Sequence, residues 1–196
     1  ENIYVGNGSD EALNFAFLSY ATDGRGAAFA DITYGFYPVF CDLYHIPAQI
    51  IPLKEDFSLD PRDYYGLNKT IVIANPNAPT GVGIGRAEME RFVASVPEKL
   101  VILDEAYMDF FGESCVPLTR KYSNVLVVKT FSKSYSLAGI RCGYAVGSRG
   151  LIEGLERCRD SFNSYPVDRV CQAVCAAAVS DAAYYAETTA RVVAER

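Results

Sequence analysis

The sequence predicts an α/β fold of three layers, in which helices cover both faces of a mostly parallel central sheet. Short apolar segments alternate with segments of helical periodicity along the 196 residues. Two of the segments, Leu100–Leu103 and Val125–Val128, are apolar at every position, which is typical of strands buried on both faces. Such strands, alternating with helices, indicate a parallel sheet. Ligands of these sheets lie beyond the carboxyl ends of the strands, so polar residues there are the candidates for a site.

The individual elements are predicted from hydrophobic periodicity and turn signals. Six segments are predicted to be strands: Ile3–Val5, Gly26–Phe29, Gln49–Pro52, Thr70–Ala74, Leu100–Leu103 and Val125–Val128. Six segments are predicted to be helices: Ser9–Tyr20, Tyr37–Tyr44, Arg86–Val96, Ser148–Asn163, Val167–Ala178 and Tyr184–Arg196. We expect the alanine-rich stretch from Val170 to Val179 to be buried.

Composition indicates a globular protein that binds small molecules. Apolar residues make up 50% of the chain, charged residues 21%, and the net charge is −6. An acidic chain without clusters of Lys and Arg is not expected to bind nucleic acid. No apolar run approaches the roughly 20 residues of a membrane helix, and no signal peptide is visible. The chain starts in a strand and stops within a helical pattern, so we expect a single domain, residues 1–196, of a longer protein.

The six cysteines are expected to be reduced thiols. None of them has C-x-x-C spacing, and His45 is the only histidine, so no metal site is expected. Cys171 and Cys175 are four residues apart on one face of a predicted helix, where buried thiols are the better interpretation. Reduced cysteines indicate a cytoplasmic protein.

The first strand is followed by a glycine turn, Gly6–Gly8, that leads into a helix. The unpaired amides of a helix's first turn lie at the positive end of its dipole and suit a phosphate group. A simpler interpretation stays open, in which Ser9 is an N-cap while Asp10 and Glu11 favour the dipole. Neither G-x-G-x-x-G nor a P-loop is complete here or elsewhere.

Two more strands end in polar residues. Asp104 follows Leu100–Leu103, where its carboxylate could pair with a buried cation such as a protonated ring nitrogen. An N-cap role for Asp104 is equally open. Asn75–Gly81 follows Thr70–Ala74, and its prolines and asparagines predict a rigid loop whose amides can reach a ligand.

Lys133 follows the strand Val125–Val128 and lies among hydroxyl side chains. Most lysines are solvated surface charges, but a partly desolvated lysine is a usable amine nucleophile. Arg141, eight residues later, offers a forked donor set to a phosphate. Thr130 and Ser132 could add hydroxyl donors.

The polar residues at these strand ends, taken together, indicate one kind of site. A phosphate-binding turn, an aspartate, a lysine and an arginine, in this order, are the parts that a pyridoxal phosphate (PLP) site needs. A Ser–His–Asp arrangement is weak, because His45 is its only possible base.

The same residues resemble the class I/II aminotransferases of PLP fold type I, and most closely their histidinol-phosphate branch. The resemblance covers essentially the whole chain. It is carried by four motifs: G-N-G-S-D-E (Gly6–Glu11), N-P-N-A-P-T-G (Asn75–Gly81), D-E-A-Y (Asp104–Tyr107) and T-F-S-K-S-Y-S-L-A-G-I-R-C-G (Thr130–Gly143).

The resemblance implies a role for each site residue. Lys133 would attach the cofactor and then move the proton at the substrate's α-carbon. Asp104 would pair with the pyridine nitrogen, Tyr107 would donate to the ring's 3-oxygen, and Tyr34 would stack on the ring. The phosphate would be held by five residues: Ser9, Asp10, Thr130, Ser132 and Arg141. Where the family has an asparagine contacting the 3-oxygen this chain has Ala78, and Asn77 is the expected substitute.

The resemblance also implies the reaction, transfer of an amino group between histidinol phosphate and 2-oxoglutarate by a homodimer. Three alternatives stay open. One is a decarboxylase of the same fold acting on an amino-acid phosphate, and another is a lobe that binds PLP or dimerises without catalysis. The third is an α/β domain that binds a nucleotide. The family's small domain, with the arginine that grips the substrate carboxylate, is not expected within this chain.

Overall fold

A seven-stranded mixed sheet forms the centre of the protein, whose 196 residues are all described by a computed structural model. The strands are β1 (Ile3–Gly6), β2 (Ala27–Ala30), β3 (Ala48–Ile51), β4 (Thr70–Ala74), β5 (Val101–Asp104), β6 (Val125–Thr130) and β7 (Gly143–Gly147). The α-helices are α1 (Gly8–Tyr20), α2 (Phe36–Leu43), α3 (Arg86–Ser95), α4 (Arg149–Phe162), α5 (Arg169–Ser180) and α6 (Ala182–Ala194). All twelve predicted elements are present, with shifts at their ends of a few residues.

The strands lie in the order β1-β7-β6-β5-β4-β2-β3. Pairing is parallel from β3 through β6, whereas β7 is antiparallel to both of its neighbours, β1 and β6. The sheet is therefore mostly parallel, as predicted. β7 has no counterpart among the predicted strands, because glycines at both of its ends weaken the β signal of its sequence, G-Y-A-V-G.

Alternate residues of the inner strands point to two different cores. Val72 and Ile102 join one buried cluster with α1, α2 and α4, while Ile71 and Leu103 join a second cluster with α3. This confirms the three-layer α/β/α architecture. The alternation also determines on which face of the sheet the Asp104 side chain lies. Asp104 comes two residues after Ile102 and therefore faces the layer of α1 and α2.

Helix α5 packs on one face only. Its buried residues are Cys171, Cys175 and Ala178, while Val170 is 69% and Val179 56% exposed. The expectation that Val170 to Val179 is a fully buried helix is therefore wrong, because alanine and valine on every side of a helix do not show which side is covered. None of the helices has the length and apolar character needed to cross a lipid bilayer.

Candidate active site

The amino end of α1 lies against strand β7, and two glycines make this approach possible. A Cβ on Gly143 would lie 2.3 Å from the amide nitrogen of Ser9. Gly8 has φ +81°, and a Cβ there would lie 2.8 Å from Nη2 of Arg141. A side chain at Gly143 would collide with the backbone of the helix end, and one at Gly8 would enter the space beside the guanidinium.

No side chain caps the start of α1. Its N-cap is Asn7, which makes no side-chain capping hydrogen bond, and Ser9 lies inside the first turn. The interpretation of Ser9 as an N-cap is therefore wrong. The first-turn amides keep their donors for a ligand, and they lie at the positive end of the helix dipole.

Arg141 faces this helix end from a strained backbone. Its φ of 57° is in the left-handed region, which few non-glycine residues adopt. Nη1 donates to the carbonyl of Ala138 at 3.1 Å, and Nη2 lies 3.8 Å from Oδ2 of Asp10. The guanidinium is about half exposed, so it has donors left for an anion.

Two hydroxyl side chains lie on the same side of the site. Thr130 is the last residue of β6, and its Oγ1 accepts a 3.1 Å hydrogen bond from the amide of Ser132. The same Oγ1 lies 3.5 Å from the carbonyl oxygen of Cys142. The turn after β6 therefore fixes the Thr130 side chain against the backbone of Ser132, and both residues line the same cavity as Ser9.

Asp104 supplies a buried carboxylate at the end of β5. Only 5% of the residue is exposed. Its Oδ2 accepts a 2.8 Å hydrogen bond from the Tyr37 hydroxyl, and Oδ1 accepts one of 3.1 Å from the amide of Ala106. Burial raises the pKa of Asp104 to about 6, although both hydrogen bonds act to lower it. A cation beside this group would be strongly favoured, because a buried carboxylate lacks the solvation that water gives.

Tyr34 forms an aromatic wall beside the acid. Its hydroxyl donates to Oδ1 of Asp10 at 2.8 Å, and its ring lies 5.7 Å from that of Tyr37 in an edge-on arrangement. The Tyr34 ring also stacks on Phe36 at 5.8 Å. These contacts hold a flat apolar surface at the pocket.

Lys133 and Tyr107 form the opposite part of the site. The Lys133 Nζ lies 5.1 Å from the centre of the Tyr107 ring, within cation–π range. Lys133 is exposed, so the expected partial desolvation is not found among these residues. Lys129, the other lysine nearby, differs: its Nζ lies 3.0 Å from Asp109 and 3.6 Å from Glu105.

One cavity of about 180 Å³ joins these groups. It is lined by nine of the ten residues predicted for the site: Ser9, Asp10, Tyr34, Asp104, Tyr107, Thr130, Ser132, Lys133 and Arg141. Hydrogen-bond donors for an anion, a buried acid, an aromatic ring and an amine therefore line one cavity. These groups fit a phosphorylated pyridine aldehyde, since the phosphate, the ring nitrogen and the aldehyde of such a molecule would each have a partner of matching chemistry.

Asn77 lies apart from this cavity. Its Oδ1 accepts a 2.7 Å hydrogen bond from Thr33, and its Nδ2 donates to the carbonyl of Ile32 at 2.8 Å. The side chain lines a neighbouring cavity of about 470 Å³, which contains neither Lys133 nor Asp104. Ala78 lines the smaller cavity instead. The structure thus gives the predicted substitution of Asn77 for the family's asparagine no geometric support.

Tyr37 contacts Asp104 directly, and the sequence does not single it out. It is fully buried in α2 and would be assigned to the core on that ground alone. No local signal distinguishes it, because its contact with Asp104 joins residues 67 positions apart in the chain.

The sequence is similar to that of known aminotransferases. A family profile, aminotransferase class I and II, matches residues 1–196. A histidinol-phosphate aminotransferase of Bordetella parapertussis is 50% identical over 199 residues, covering 100% of this chain and 56% of the relative. One of Marinomonas is 51% identical over 195 residues, covering 99% and 55%.

A solved structure shows the same fold. It is a histidinol-phosphate aminotransferase of Sinorhizobium meliloti in complex with pyridoxal-5'-phosphate, with 26% identity and a TM-score of 0.83. The match covers 96% of this chain and 53% of that one. The chain spans about half the length of the relatives it matches. The profile match along its full length shows that the chain belongs to the class I and II aminotransferase family.

Proposed function

We propose that this chain is the PLP-binding large domain of an aminotransferase that moves an amino group from histidinol phosphate to 2-oxoglutarate. One observation carries the proposal: Lys133 and Asp104 line a single cavity, and the other end of that cavity offers hydrogen-bond donors to an anion. The histidinol-phosphate aminotransferases that are about half identical support the choice of amino donor.

The phosphate of the cofactor would be held at the end of the cavity formed by α1. The first-turn amides at Ser9 and Asp10, the guanidinium of Arg141 and the hydroxyls of Thr130 and Ser132 would act as donors. The positive charge of Arg141 and the positive end of the α1 dipole both favour an anion such as phosphate.

Asp104 would hold the ring nitrogen in its protonated form. Its carboxylate is buried, and a pyridinium beside it would keep it ionised and lower its pKa below the value of about 6 in the protein alone. Tyr34 would cover one ring face, and Tyr107 would donate to the 3-oxygen. We retain no role for Asn77 at that oxygen.

Lys133 would be the amine that carries the cofactor and exchanges the proton at the substrate's α-carbon. When bound, PLP supplies an electron sink for that carbon. Lys129 is unsuited to this role, since Asp109 and Glu105 hold its ammonium. Lys133 makes no such ion pair and faces the cavity.

We further propose that residues outside this chain close the pocket over Lys133 and grip the substrate, within a homodimer. This is supported by the exposure of Lys133 and by the share of the relatives that the chain covers. The six free cysteines favour a cytoplasmic location.

The reaction is tested by single-turnover half-reactions of the PLP-loaded protein. Histidinol phosphate is expected to convert the bound cofactor to its amino form, and 2-oxoglutarate to restore it. The matched control is Lys133→Arg, which keeps the charge and loses the reactive amine. Release of carbon dioxide from an amino-acid phosphate would favour a decarboxylase instead. Cofactor binding without either reaction, in protein that includes the residues proposed to close the pocket, would identify a non-catalytic lobe.

A further inference from the structure

Three of the six cysteines converge on one buried point outside the cofactor cavity. The sulfur atoms of Cys142, Cys171 and Cys175 all lie within 4.8 Å of one another. These residues, called the thiol trio below, are 2%, 3% and 7% exposed. Cys142 follows Arg141 in the turn that carries Lys133, whereas the other two are one turn apart on α5.

The surroundings of the thiol trio are apolar. The three residues form a separate core cluster with Phe131, and the side chains packed on that cluster are Tyr135, Leu137, Ile140, Tyr144 and Val167. The guanidinium of the adjacent Arg141 is engaged elsewhere, with Ala138 and Asp10. Burial raises the pKa of Cys142 and of Cys171, and the charge of Asp168 acts in the same direction on Cys171.

This environment selects the kind of centre that the sulfurs could hold. A divalent metal on three thiolates would leave a net negative charge in an apolar site, and protein zinc sites add a fourth ligand. Monovalent copper would leave still more charge. A trivalent centre bonded to three sulfurs is neutral, and a lone pair completes its shell. Only such a centre matches both the ligand number and the charge.

We propose that the thiol trio is a binding site for trivalent, thiophilic arsenic. Arsenous acid would condense with the three thiols: three S–H and three As–OH bonds break, three As–S bonds form, and three waters leave, with no change of oxidation state. Three sulfurs at about 2.3 Å from one pyramidal centre, the usual length of a zinc–thiolate bond, are about 3.5–3.8 Å apart. Since the sulfurs lie within 4.8 Å of one another, they need to approach by about 1.3 Å or less, by rotation of their side chains.

Arsenic bound to the thiol trio would affect the cofactor cavity through Cys142. The carbonyl oxygen of Cys142 accepts a 3.1 Å hydrogen bond from the amide of Phe131 and lies 3.5 Å from Oγ1 of Thr130. A bridge from Cys142 to α5 thus fixes the base of the turn that carries Lys133 and Arg141. We expect the bridge to change the affinity of the protein for PLP.

The test is titration of the protein with arsenite, followed by native mass spectrometry. The wild-type protein is expected to gain one arsenic and lose three thiol hydrogens, which leave as water with the three hydroxyls of arsenous acid. Cys142→Ser, Cys171→Ser and Cys175→Ser should each lower the affinity on the order of tenfold or more. Cys41→Ser is the matched control, because it removes a buried thiol outside the trio and should bind like the wild type. Equal affinity in all four variants would overturn the proposal.

A second measurement needs no variant. Alkylation of the wild-type protein in mild denaturant, with and without arsenite, shows which cysteines are protected. The expected pattern is protection of the thiol trio alone, and protection of other cysteines would contradict the site. Zn²⁺ is the competitor: if Zn²⁺ displaces arsenite at equal concentration, the charge argument is wrong.

Discussion

The hydroxyl of Tyr37 donates a 2.8 Å hydrogen bond to the carboxylate of Asp104, and both residues are buried. This contact connects α2 to the end of β5. Helix α2 comes directly after Tyr34 in the chain, the residue that forms the aromatic wall of the cavity. It fixes the orientation of the acid proposed to meet the ring nitrogen. Tyr37 is therefore expected to position Asp104 rather than to touch the substrate.

Removal of this hydroxyl should weaken the hold on the cofactor. In Tyr37→Phe the carboxylate loses a donor, so the pKa of Asp104 should rise above about 6. A hydrogen bond to a charged group is worth about 1.5–3 kcal/mol, which corresponds to about tenfold to hundredfold in affinity for PLP. Equilibrium titration with PLP, followed by absorbance across pH, measures both effects.

Tyr44→Phe is the control for that variant. It makes the same change at the end of the same helix and removes a hydrogen bond of 2.8 Å, to Asn14 outside the cavity. If both variants bind PLP equally well, the positioning role of Tyr37 is wrong.

Asp104→Asn should stabilise the PLP-free protein at high pH while weakening cofactor binding. Burial raises the pKa of Asp104 from 3.8 to about 6, so the folded state binds this proton more tightly than the unfolded state does. Asp104 therefore costs stability as pH rises from about 4 to about 6. At pH 8 the gain on neutralisation approaches about 3 kcal/mol, and it should vanish below about pH 4. Urea unfolding at the two pH values checks the sign, which a less stable variant at pH 8 would contradict.

Gly8→Ala should damage phosphate binding in particular. A Cβ at Gly8 would lie 2.8 Å from Nη2 of Arg141, and its φ of +81° disfavours any side chain. Gly81→Ala is the control, since φ there is +74° and no atom lies within 4 Å of the added carbon. Both variants should lose about 1–2 kcal/mol of stability through backbone strain.

Only Gly8→Ala should narrow the difference in affinity between PLP and pyridoxal, which lacks the phosphate. Competition binding of the two compounds measures this difference. An unchanged preference for PLP in Gly8→Ala would place the phosphate elsewhere.

The sequence predicts most of the sheet because its inner strands contain continuous apolar runs, such as Val125–Val128. β7 is missing from that prediction, since a short strand with glycines at both ends looks like a turn. Its place between β1 and β6 depends on the contact of Gly143 with α1, which is a tertiary feature. The local sequence pattern therefore does not predict the position of β7.

The site divides in the same way. That Lys133 and Asp104 line one cavity can be predicted from sequence, because each follows a buried apolar run and strand ends meet at one edge of the sheet. The direction of the Asn77 side chain depends instead on its bonds to Thr33 and Ile32, far away in the chain. Tyr37 is hidden for a related reason, because a buried tyrosine in a helix is usually part of the core.

The identity of the cofactor-bearing amine is tested most directly by borohydride reduction of the PLP-loaded protein, followed by peptide mapping. Reduction makes the lysine–cofactor bond permanent, so the labelled residue can be read from the peptide. We expect the label to lie on Lys133 and to be lost in Lys133→Arg. Label on Lys129 or any other lysine would contradict it.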